Sequence, residues 1–308
     1  MKEGTKKTFE GGIIGGDYAR AKNPAFLAER AAKWAVLWAR QEADFAARPR
    51  EAIAITMPDG KVKEGTSWET TPMDIAKGIS SQMAKKQIVA EVIYTGVRHG
   101  STAGGAAALD EAFESDEVEG KGEMWDLTRP LEGDCKLFLR DFNDRDAKAV
   151  FWHSSAHVLG ECIECELGAQ LTVGPPVENG FFYDCYMGDG SLTEGDYKPL
   201  EKKATAIIKE KQTFERLFLT KDEALELFSD NPFKVNIITT KVPDGGTTSA
   251  YKCGELMDLC LGPHIVNTGL IKAFKVEKHS SAYYGGKAEN DSLQVKNAER
   301  ARERESQR

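Results

Sequence analysis

Two short stretches of the chain stand out: Trp152-His153-Ser154-Ser155-Ala156-His157-Val158-Leu159-Gly160 and Met257-Asp258-Leu259-Cys260-Leu261-Gly262-Pro263-His264. Together they hold three of the five histidines in the sequence. Histidines four residues apart lie on one face of a helix, so the rings of His153 and His157 can reach a common point. Cys260 and His264 repeat this spacing and add a thiol and a third imidazole, which are donor types that bind zinc. The sequence therefore predicts one site built from these four residues.

This predicted site is compatible with two chemistries. If all four residues bind zinc, they fill its tetrahedral shell, which is typical of a structural ion because no position is left for water. Without a metal, the imidazoles and nearby polar groups can position water and move protons during attack on an ester. Asp258 is a natural orienting group or base in either case. The alternative is that the three histidines are unrelated residues of the core.

Composition limits the class of protein. The chain has 308 residues, of which 41% are hydrophobic and 29% charged, as expected of a soluble protein with two domains and an additional helical arm. Its net charge of -8 argues against non-specific coating of nucleic acid, so any contact with RNA must be local. The six cysteines lack the regular spacing of a secreted disulfide scaffold, and no apolar run approaches the roughly 20 residues of a membrane span. We expect a reduced, cytoplasmic protein that does not contact membranes.

The first 50 residues are predicted to be an extension that contains one helix. Residues 1–23 are rich in Gly and Lys, without apolar periodicity, and are expected to be poorly ordered. Asn23-Pro24 is a typical helix start, and the amphipathic pattern continues to about Ala47. Trp34 and Trp38 lie on its apolar face, which predicts a docking role.

Residues 51–143 have the pattern of a small β-grasp domain. A hairpin turns at Pro58-Asp59-Gly60, a helix begins at Thr70-Thr71-Pro72, and further strands follow. Residues 97–123 interrupt this pattern with a Gly- and Ala-rich run and then an acidic run, which predicts a solvated loop with no catalytic role.

The third region, residues 150–294, follows a polar connector at 142–149 and carries the chemistry. Its pattern of helices and strands predicts an α+β domain in which Gly180 permits a bend between two strands. Cys162 and Cys165 are interpreted as incidental, because no second pair of this spacing exists. The elements expected are a helix over 154–167, strands within 171–184, a helix over 194–211, a strand over 214–219, a short helix over 221–229, a strand over 233–238 from which Lys234 projects, and a charged tail over 295–308.

The chain resembles the N-terminal half of a eukaryotic-type cytosolic threonyl-tRNA synthetase. Pro58-Asp59-Gly60, Trp68-Glu69-Thr70-Thr71-Pro72 and Trp125-Asp126-Leu127 are similar to the TGS domain of that family, a ubiquitin-like β-grasp module. Residues 152–160, 174–184 and 258–275 resemble its second additional domain (SAD), which hydrolyses mischarged tRNA. Alanyl-tRNA editing proteins share both spaced pairs, but they usually have Cys-Gly-Gly-Thr-His where this chain has Cys-Leu-Gly-Pro-His. The threonyl branch is therefore favoured.

The resemblance implies hydrolysis of Ser-tRNA(Thr). A synthetic site rejects serine poorly, because one methyl group supplies only about 1–3 kcal/mol of discrimination, and a second pocket too small for threonine removes the errors. It also implies partners, namely the acceptor end of tRNA(Thr) and a full-length synthetase, and it requires no metal, although zinc at His153, His157, Cys260 and His264 is an alternative. The residues implied as catalytic are His153, His157, Lys234, Asp258, Cys260 and His264, and those implied as substrate-binding are Tyr183, Asp184 and Gly180.

Departures from the family pattern leave other functions open. Leu261 replaces a usual Arg, and Tyr284-Gly285 replaces Trp followed by a polar residue. The resemblance ends near Gln294, and the class II motifs that hold ATP and threonine are absent from the sequence, so no ATP-dependent ligase activity is expected from this chain alone. The alternatives to a deacylase are a non-catalytic tRNA-binding or regulatory module, a fragment of a threonine–tRNA ligase, and a zinc-stabilised interaction domain without an RNA role.

Overall fold

A computed structural model of the chain describes residues 13–100, 122–177 and 180–299. Seven α-helices and thirteen strands are formed by these residues. The helices are α1 Ala25–Ala46, α2 Pro72–Ile79, α3 Ser81–Ala84, α4 Arg145–Leu167, α5 Tyr197–Glu210, α6 Lys221–Leu227 and α7 Pro232–Lys241. The strands are β1 Ala52–Thr56, β2 Val62–Thr66, β3 Gln87–Arg98, β4 Glu123–Trp125, β5 Gly133–Asp141, β6 Gln170–Leu171, β7 Pro176–Val177, β8 Gly180–Tyr186, β9 Phe214–Thr220, β10 Thr247–Cys253, β11 Leu256–Leu259, β12 Lys275–Tyr283 and β13 Ser292–Glu299.

The first sheet has the order β2-β1-β5-β3-β4 and is the predicted β-grasp. β1 and β2 form an antiparallel hairpin around the tight turn at Gly60, whose φ of 81° suits glycine. β1 then pairs in parallel with β5, as the first and last long strands of a ubiquitin-like sheet do. Helix α2 begins at a capping box in which the side chains of Thr71 and Asp74 satisfy backbone amides. The TGS fold expected from the sequence is confirmed.

The remaining elements surround helix α4, which is buried along most of its 23 residues. A three-stranded sheet of order β11-β10-β9 contacts the helix, and so does a second sheet of order β12-β13-β8-β6, while α5 covers part of it. A helix enclosed in this way has apolar residues around its whole circumference, so its polar residues are conspicuous. The α+β class is confirmed. Helix α4 begins nine residues before Ser154, because Asp144 caps it by accepting from the amides of Asp146 and Ala147.

The strand predicted over 233–238 is wrong, because these residues belong to helix α7. Asn231 caps the helix by accepting from the amides of Phe233 and Lys234, and Pro232 occupies its first position. Proline at that position has no amide to leave unsatisfied and has the φ angle of a helix. The alternation of apolar residues in this segment was therefore misleading, and Lys234 lies on a buried helix face rather than on an exposed strand.

Residues 13–22, predicted to be poorly ordered, pack against the SAD region. The amide of Ile14 donates to Asp291, and the hydroxyl of Tyr18 donates to the carbonyl of Leu167 at 2.7 Å. Hydrogen bonds between a side chain and the backbone do not require apolar periodicity, which is why composition did not reveal them. Residues 1–12 lie outside the described part of the chain.

Strand β13 continues to Glu299, five residues into the segment predicted as a charged tail. It lies between β12 and β8, so both of its edges are paired, for example Val295 with Asp184. Pairing on two sides stabilises a strand through its backbone even where the side chains are charged. The expected loop at 97–123 is bounded by β3 and β4, and its residues 101–121 lie outside the described chain. Within the described residues, none of the helices is both long and apolar enough to span a membrane.

Helix α1 is joined to the SAD region by a buried ion-pair network. The guanidinium of Arg30 contacts Glu164 at 3.1 Å and Asp230 at 2.5 Å, and the side chains of Arg30 and Glu164 are 3% and 1% exposed. Trp34 is buried in the cluster that covers the sheet β11-β10-β9, as the docking role predicted. The arm is thus part of the folded unit.

Replacing Arg30 with Met should lower the free energy of unfolding by about 3–5 kcal/mol, because Glu164, whose pKa burial raises to about 7, would lose its ion-pair partner in the interior. Urea denaturation measures this change. Lys33→Met is the matched control, since Lys33 bonds Glu226 and Ser229 at the surface of the same helix, and it should change stability by less than about 0.5 kcal/mol. Equal effects of the two substitutions would show that the network does not hold the arm.

Candidate functional site

The four residues singled out by spacing meet at one point. His153 and His157 project from α4, Cys260 follows β11, and His264 lies four residues further on. The Nε2 atoms of His153 and His157 are 3.3 Å apart, and the Sγ atom of Cys260 lies 3.5 Å from Nε2 of His153 and 3.3 Å from Nε2 of His264. All four donor atoms lie within 4.8 Å of one another, and all four residues are buried. We call this group the His/Cys cluster.

The donor set of the His/Cys cluster fits zinc. Bonds of about 2.0–2.3 Å to a tetrahedral ion place neighbouring ligand atoms about 3.3–3.6 Å apart, which the three shortest distances match. Ser154 supports this role, because its hydroxyl donates to the carbonyl of Val150 and so accepts the Nδ1 proton of His264 at 3.0 Å. The Nε2 atom of His264 is then left without a proton and faces the cluster, as a metal ligand requires.

The loop from Cys260 to His264 is anchored by a residue of the TGS domain. Asp126 accepts from the amide of His264 and from the hydroxyl of Tyr251, both at 2.7 Å. Gly262, with a φ of 71°, brings the loop against Tyr251, where a Cβ would lie 2.1 Å from its hydroxyl oxygen. The TGS domain therefore sets the position of one member of the cluster.

A second polar group lies beside the cluster and is centred on Asp258. The Nζ atom of Lys234 contacts Asp258 at 2.5 Å and donates to the carbonyl of Thr172 at 2.7 Å. The hydroxyl of Tyr183 donates to the other carboxylate oxygen, and Nε2 of His157 lies 3.9 Å from it. We call Lys234, Asp258 and Tyr183 the Asp258 group.

Burial determines the protonation states at the site. It lowers the pKa of His157 to about 3 and lowers the pKa of His264 well below its ordinary value, so both imidazoles are neutral at physiological pH. Burial also raises the pKa of Asp258, but Lys234, His157 and Tyr183 outweigh it, and the resulting pKa is below the ordinary value. Burial and the adjacent carboxylate raise the pKa of Tyr183, whose hydroxyl keeps its proton. The site combines a cation and an anion with neutral imidazoles.

A small cavity of about 20 Å³ opens between the His/Cys cluster and the Asp258 group, which is enough space for one water molecule. The ring of Tyr183 forms one wall, and it packs so closely on Gly160 and Gly174 that a Cβ would lie within 2.9 Å or 2.4 Å of it. The lining residues are His153, His157, Thr172, Val173, Gly174, Tyr183, Lys234, Ile237, Asp258 and Leu259.

The other residues named from the sequence lie elsewhere. Asp184 and Gly180 are on β8 but do not line the cavity, and burial raises the pKa of Asp184 to about 7. Tyr284 packs on Phe233 and donates to Asn236, so it contacts the helix that carries Lys234. Cys162 and Cys165 are buried thiols outside the cluster.

Sequence reasoning missed Asp126, Ser154, Thr172 and Tyr251. Ser154 lies inside the stretch that carries the histidines, and Asp126 was quoted only as part of a TGS motif. Residues that act by holding a ligand leave no spacing signal, because they come from separate elements of the chain. The available signal in the sequence was the position of Asp126 beside Trp125 in the TGS motif.

Two family models match the chain. The TGS domain model covers residues 53–139, and the model of the threonyl and alanyl tRNA synthetase second additional domain covers residues 248–294. The fold and these matches define a protein that joins a TGS domain to a SAD domain.

Curated relatives identify the particular family. The chain is 43% identical to the cytoplasmic threonine–tRNA ligase of Saccharomyces cerevisiae over 285 residues, which are 88% of this chain and 35% of that protein. Identity to the Caenorhabditis elegans cytoplasmic enzyme is 43%, over 88% of this chain and 33% of that protein, and identity to cytoplasmic threonine–tRNA ligase 1 of Homo sapiens is 41%, over 91% and 35%. The chain belongs to the threonyl-tRNA synthetase family and spans about a third of the length of these relatives.

Asp126→Ala should lower the free energy of unfolding by about 2–4 kcal/mol, because it leaves two buried donors, the amide of His264 and the hydroxyl of Tyr251, without an acceptor. Urea denaturation tests this expectation. Asp59→Ala is the control, because that aspartate lies on an exposed turn of the same domain and contacts only Lys61. If Asp126→Ala were as stable as the control, the TGS domain would not anchor the loop.

The neutral state of His157 predicts a specific pH dependence in metal-free protein. Between pH 6.5 and about 3 the unfolded chain binds a proton at this residue and the folded chain does not, so acid favours unfolding. The stability of the wild type relative to His157→Asn should fall by about 2–3 kcal/mol from pH 6.5 to 4.5. Urea denaturation at both pH values measures it, and a constant difference would contradict the depressed pKa.

Proposed function

We propose that the chain hydrolyses the ester bond of Ser-tRNA(Thr). The observation that carries this proposal is the Asp258 group, in which a buried lysine, carboxylate and tyrosine line a small cavity beside two histidines. Buried charged groups that converge on a cavity are typical of reaction sites. The family match supplies the substrate class, since mischarged tRNA is what a SAD domain of this family is expected to cleave.

The proposed reaction is attack of water on the seryl carbonyl carbon. The C–O bond to the terminal ribose breaks, the water proton is transferred to the departing ribose oxygen, and serine and tRNA are released. Lys234 is placed to stabilise the negative charge that develops on the carbonyl oxygen, and Asp258 fixes the ammonium group from the other side. The imidazoles of His153 and His157 border the same space and position the water. Tyr183 shapes the pocket for the seryl group.

The size of the cavity explains how such a site would reject threonine. We infer that a pocket of this size excludes the additional methyl group of threonine, because the ring of Tyr183 forms one of its walls. That ring packs closely on Gly160 and Gly174, which limits its movement. Steric exclusion in a close-packed wall discriminates against one methyl group more strongly than the loss of a contact does.

Zinc, where bound, would be held by His153, His157, Cys260 and His264. With four protein ligands it would supply a rigid link between helix α4 and the loop after β11, since a closed shell leaves no position for water. The reaction proposed above uses the Asp258 group and does not require the ion.

We further propose that the protein acts in the cytoplasm. Its proposed partners are the acceptor end of tRNA(Thr) and a full-length synthetase.

A non-catalytic tRNA-binding module is the second candidate. It is favoured by one observation, namely that Lys234, Asp258 and Tyr183 already satisfy one another, so substrate would have to displace existing contacts. Leu261 next to the cluster, where the family usually has Arg, agrees with a reduced ability to stabilise charge. The two candidates differ in the fate of the seryl ester.

Release of serine from Ser-tRNA(Thr) and of threonine from Thr-tRNA(Thr) should be measured with and without a chelator. Selective release of serine is expected, and Lys234→Gln should slow it by about 10²–10³-fold through loss of the charge at the carbonyl oxygen. Tyr183→Phe, which keeps the ring, should retain the preference for serine. A chelator should leave the rate unchanged in a protein that remains folded.

Lys209→Gln serves as the matched control, because that lysine is exposed on α5 and the substitution removes the same charge. Its rate should equal that of the wild type. If folded protein hydrolyses the seryl ester no faster than buffer does, the deacylase proposal is refuted. Retained binding of tRNA would then favour the second candidate.

A further inference from the structure

Arg30 of helix α1 is a buried cation that the reaction proposed above does not use. Its side chain is 3% exposed, and it is not among the residues that line the cavity beside Asp258. The Cζ atom lies 5.2 Å from the ring centre of Phe26 and 5.7 Å from that of Phe228, so two aromatic rings restrict the guanidinium. Burial of this charge is costly unless its donors have partners, and three partners from three elements supply them.

The first partner of Arg30 leads to helix α7. Nη2 of Arg30 contacts one carboxylate oxygen of Asp230 at 2.5 Å, and Nε donates to the other at 3.3 Å. Asp230 directly precedes Asn231, the residue that caps the helix. The side chain of Asn231 accepts from the amide of Lys234 at 3.2 Å and donates to the carbonyl of Leu171 at 2.8 Å. The bidentate ion pair therefore restrains the start of the helix that carries Lys234.

The second partner is the backbone of strand β11. Nη1 of Arg30 donates to the carbonyl of Met257 at 3.1 Å. Met257 directly precedes Asp258, so this hydrogen bond restrains the chain one residue away from the carboxylate that contacts Lys234. In its sheet β11 pairs with a single strand, β10, and the contact with α1 adds a second restraint on its position.

The third partner is Glu164 of helix α4. Nη1 of Arg30 lies 3.1 Å from each of its two carboxylate oxygens. Glu164 follows His157 by seven residues, which are about two turns, so both lie on nearly the same face of the helix. Burial raises the pKa of Glu164 to about 7, Arg30 opposes this shift, and the charge of Asp258 adds to it. The two carboxylates are thus close enough to repel each other, and Arg30 reduces that repulsion.

One guanidinium thus connects the three elements that supply Lys234, Asp258 and His157. The ion pair between Nζ of Lys234 and Asp258 is 2.5 Å long, and a shift of either α7 or β11 would change the position of the ammonium group. Catalysis by preorganised charges is sensitive to such shifts, because a displacement of about 1 Å can reduce a rate by about 10²-fold.

We propose that Arg30 is a positioning residue for the deacylase reaction, which sets Lys234 and Asp258 relative to the histidines of α4. The N-terminal extension then supports the reaction, although none of the described residues that line the cavity comes from it. The kinetic consequence of this inference rests on the proposed hydrolysis, whereas its geometric consequence can be tested without it. An arginine that only holds the arm in place would leave the Asp258 group unchanged.

The kinetic test is the rate of serine release from Ser-tRNA(Thr) by the full chain over a range of substrate concentrations. Arg30→Met should lower kcat by about 10–100-fold with KM nearly unchanged, because Arg30 is expected to position catalytic groups without contacting the substrate. Arg30→Lys should restore part of the loss, since an ammonium group keeps the charge but lacks the planar fork.

A milder variant guards against loss of the fold. Asp230→Asn preserves shape and removes the charge of one partner, whose side chain is 19% exposed, and it should lower kcat by about 3–10-fold. Lys33→Met is the matched control, because it removes a charge from the surface of the same helix, and it should behave like the wild type.

The geometric test is acetylation of lysines by acetic anhydride, followed by mass spectrometry. The side chain of Lys234 is 5% exposed, so it should react slowly in the wild type. Arg30→Met and Asp230→Asn should each raise its labelling rate by about threefold or more, because segments held by fewer contacts open more often. Lys203 on α5, which is 26% exposed and lies 3.8 Å from Glu161, is the internal reference and should react at an unchanged rate.

Three results have distinct meanings. If kcat and the labelling of Lys234 are both unchanged in folded Arg30→Met and Asp230→Asn, the inference is overturned while the proposed hydrolysis stands. Equal increases in the labelling of Lys203 and Lys234 would show that Arg30 stabilises the whole fold, which also overturns it. A wild type that releases no serine refutes the hydrolysis, and faster labelling of Lys234 alone in the variants would still support the positioning of the Asp258 group by Arg30.

Discussion

The carboxylate of Asp258 is the contact on which the architecture of the site depends. It receives Lys234 from α7 and Tyr183 from β8, and it lies near His157 of α4, so three elements of the SAD region converge on one residue of β11. A buried carboxylate without these partners would be strongly unfavourable, and the partners would lose their only local countercharge. Lys234, Tyr183 and His157 all line the cavity beside it, so the shape and the charges of the cavity depend on this residue.

The local part of this arrangement could be read from the sequence, and the long-range part could not. Spacing within one helix and one loop brought His153, His157, Cys260 and His264 together, and capping and turn residues indicated the β-grasp correctly. Lys234 was assigned to a strand because the alternating apolar pattern of 233–238 outweighed Asn231-Pro232, a strong helix start. The roles of Asp126 and Arg30 were not predicted, because the partner of a buried polar residue comes from a distant part of the chain and is seen only in the structure. Family resemblance named Tyr183 and Lys234, which spacing alone would have left as core and surface residues.

Contacts between the two regions make the TGS domain part of the structural support of the His/Cys cluster. Asp126 holds the backbone at His264, while α1 reaches the interior through Arg30 and Trp34. Loops that carry functional groups are usually mobile, and here Asp126 of the TGS domain restrains one of them. A change in how the TGS domain sits would thus alter the distance between His264 and the helix that carries the other two histidines.

The hydrogen bond from Ile14 to Asp291 joins residues 277 positions apart, and the whole TGS domain lies between them in the chain. The segment around Ile14 therefore leaves the ribosome well before the segment that it contacts. At about 5–20 residues per second, roughly 14–55 seconds of synthesis separate the two partners. The apolar face of α1 has no surface to cover it until residues 217–259 have been synthesised, whereas the TGS domain can already fold. During synthesis the chain thus exposes a hydrophobic helix face, which is the type of segment that chaperones bind.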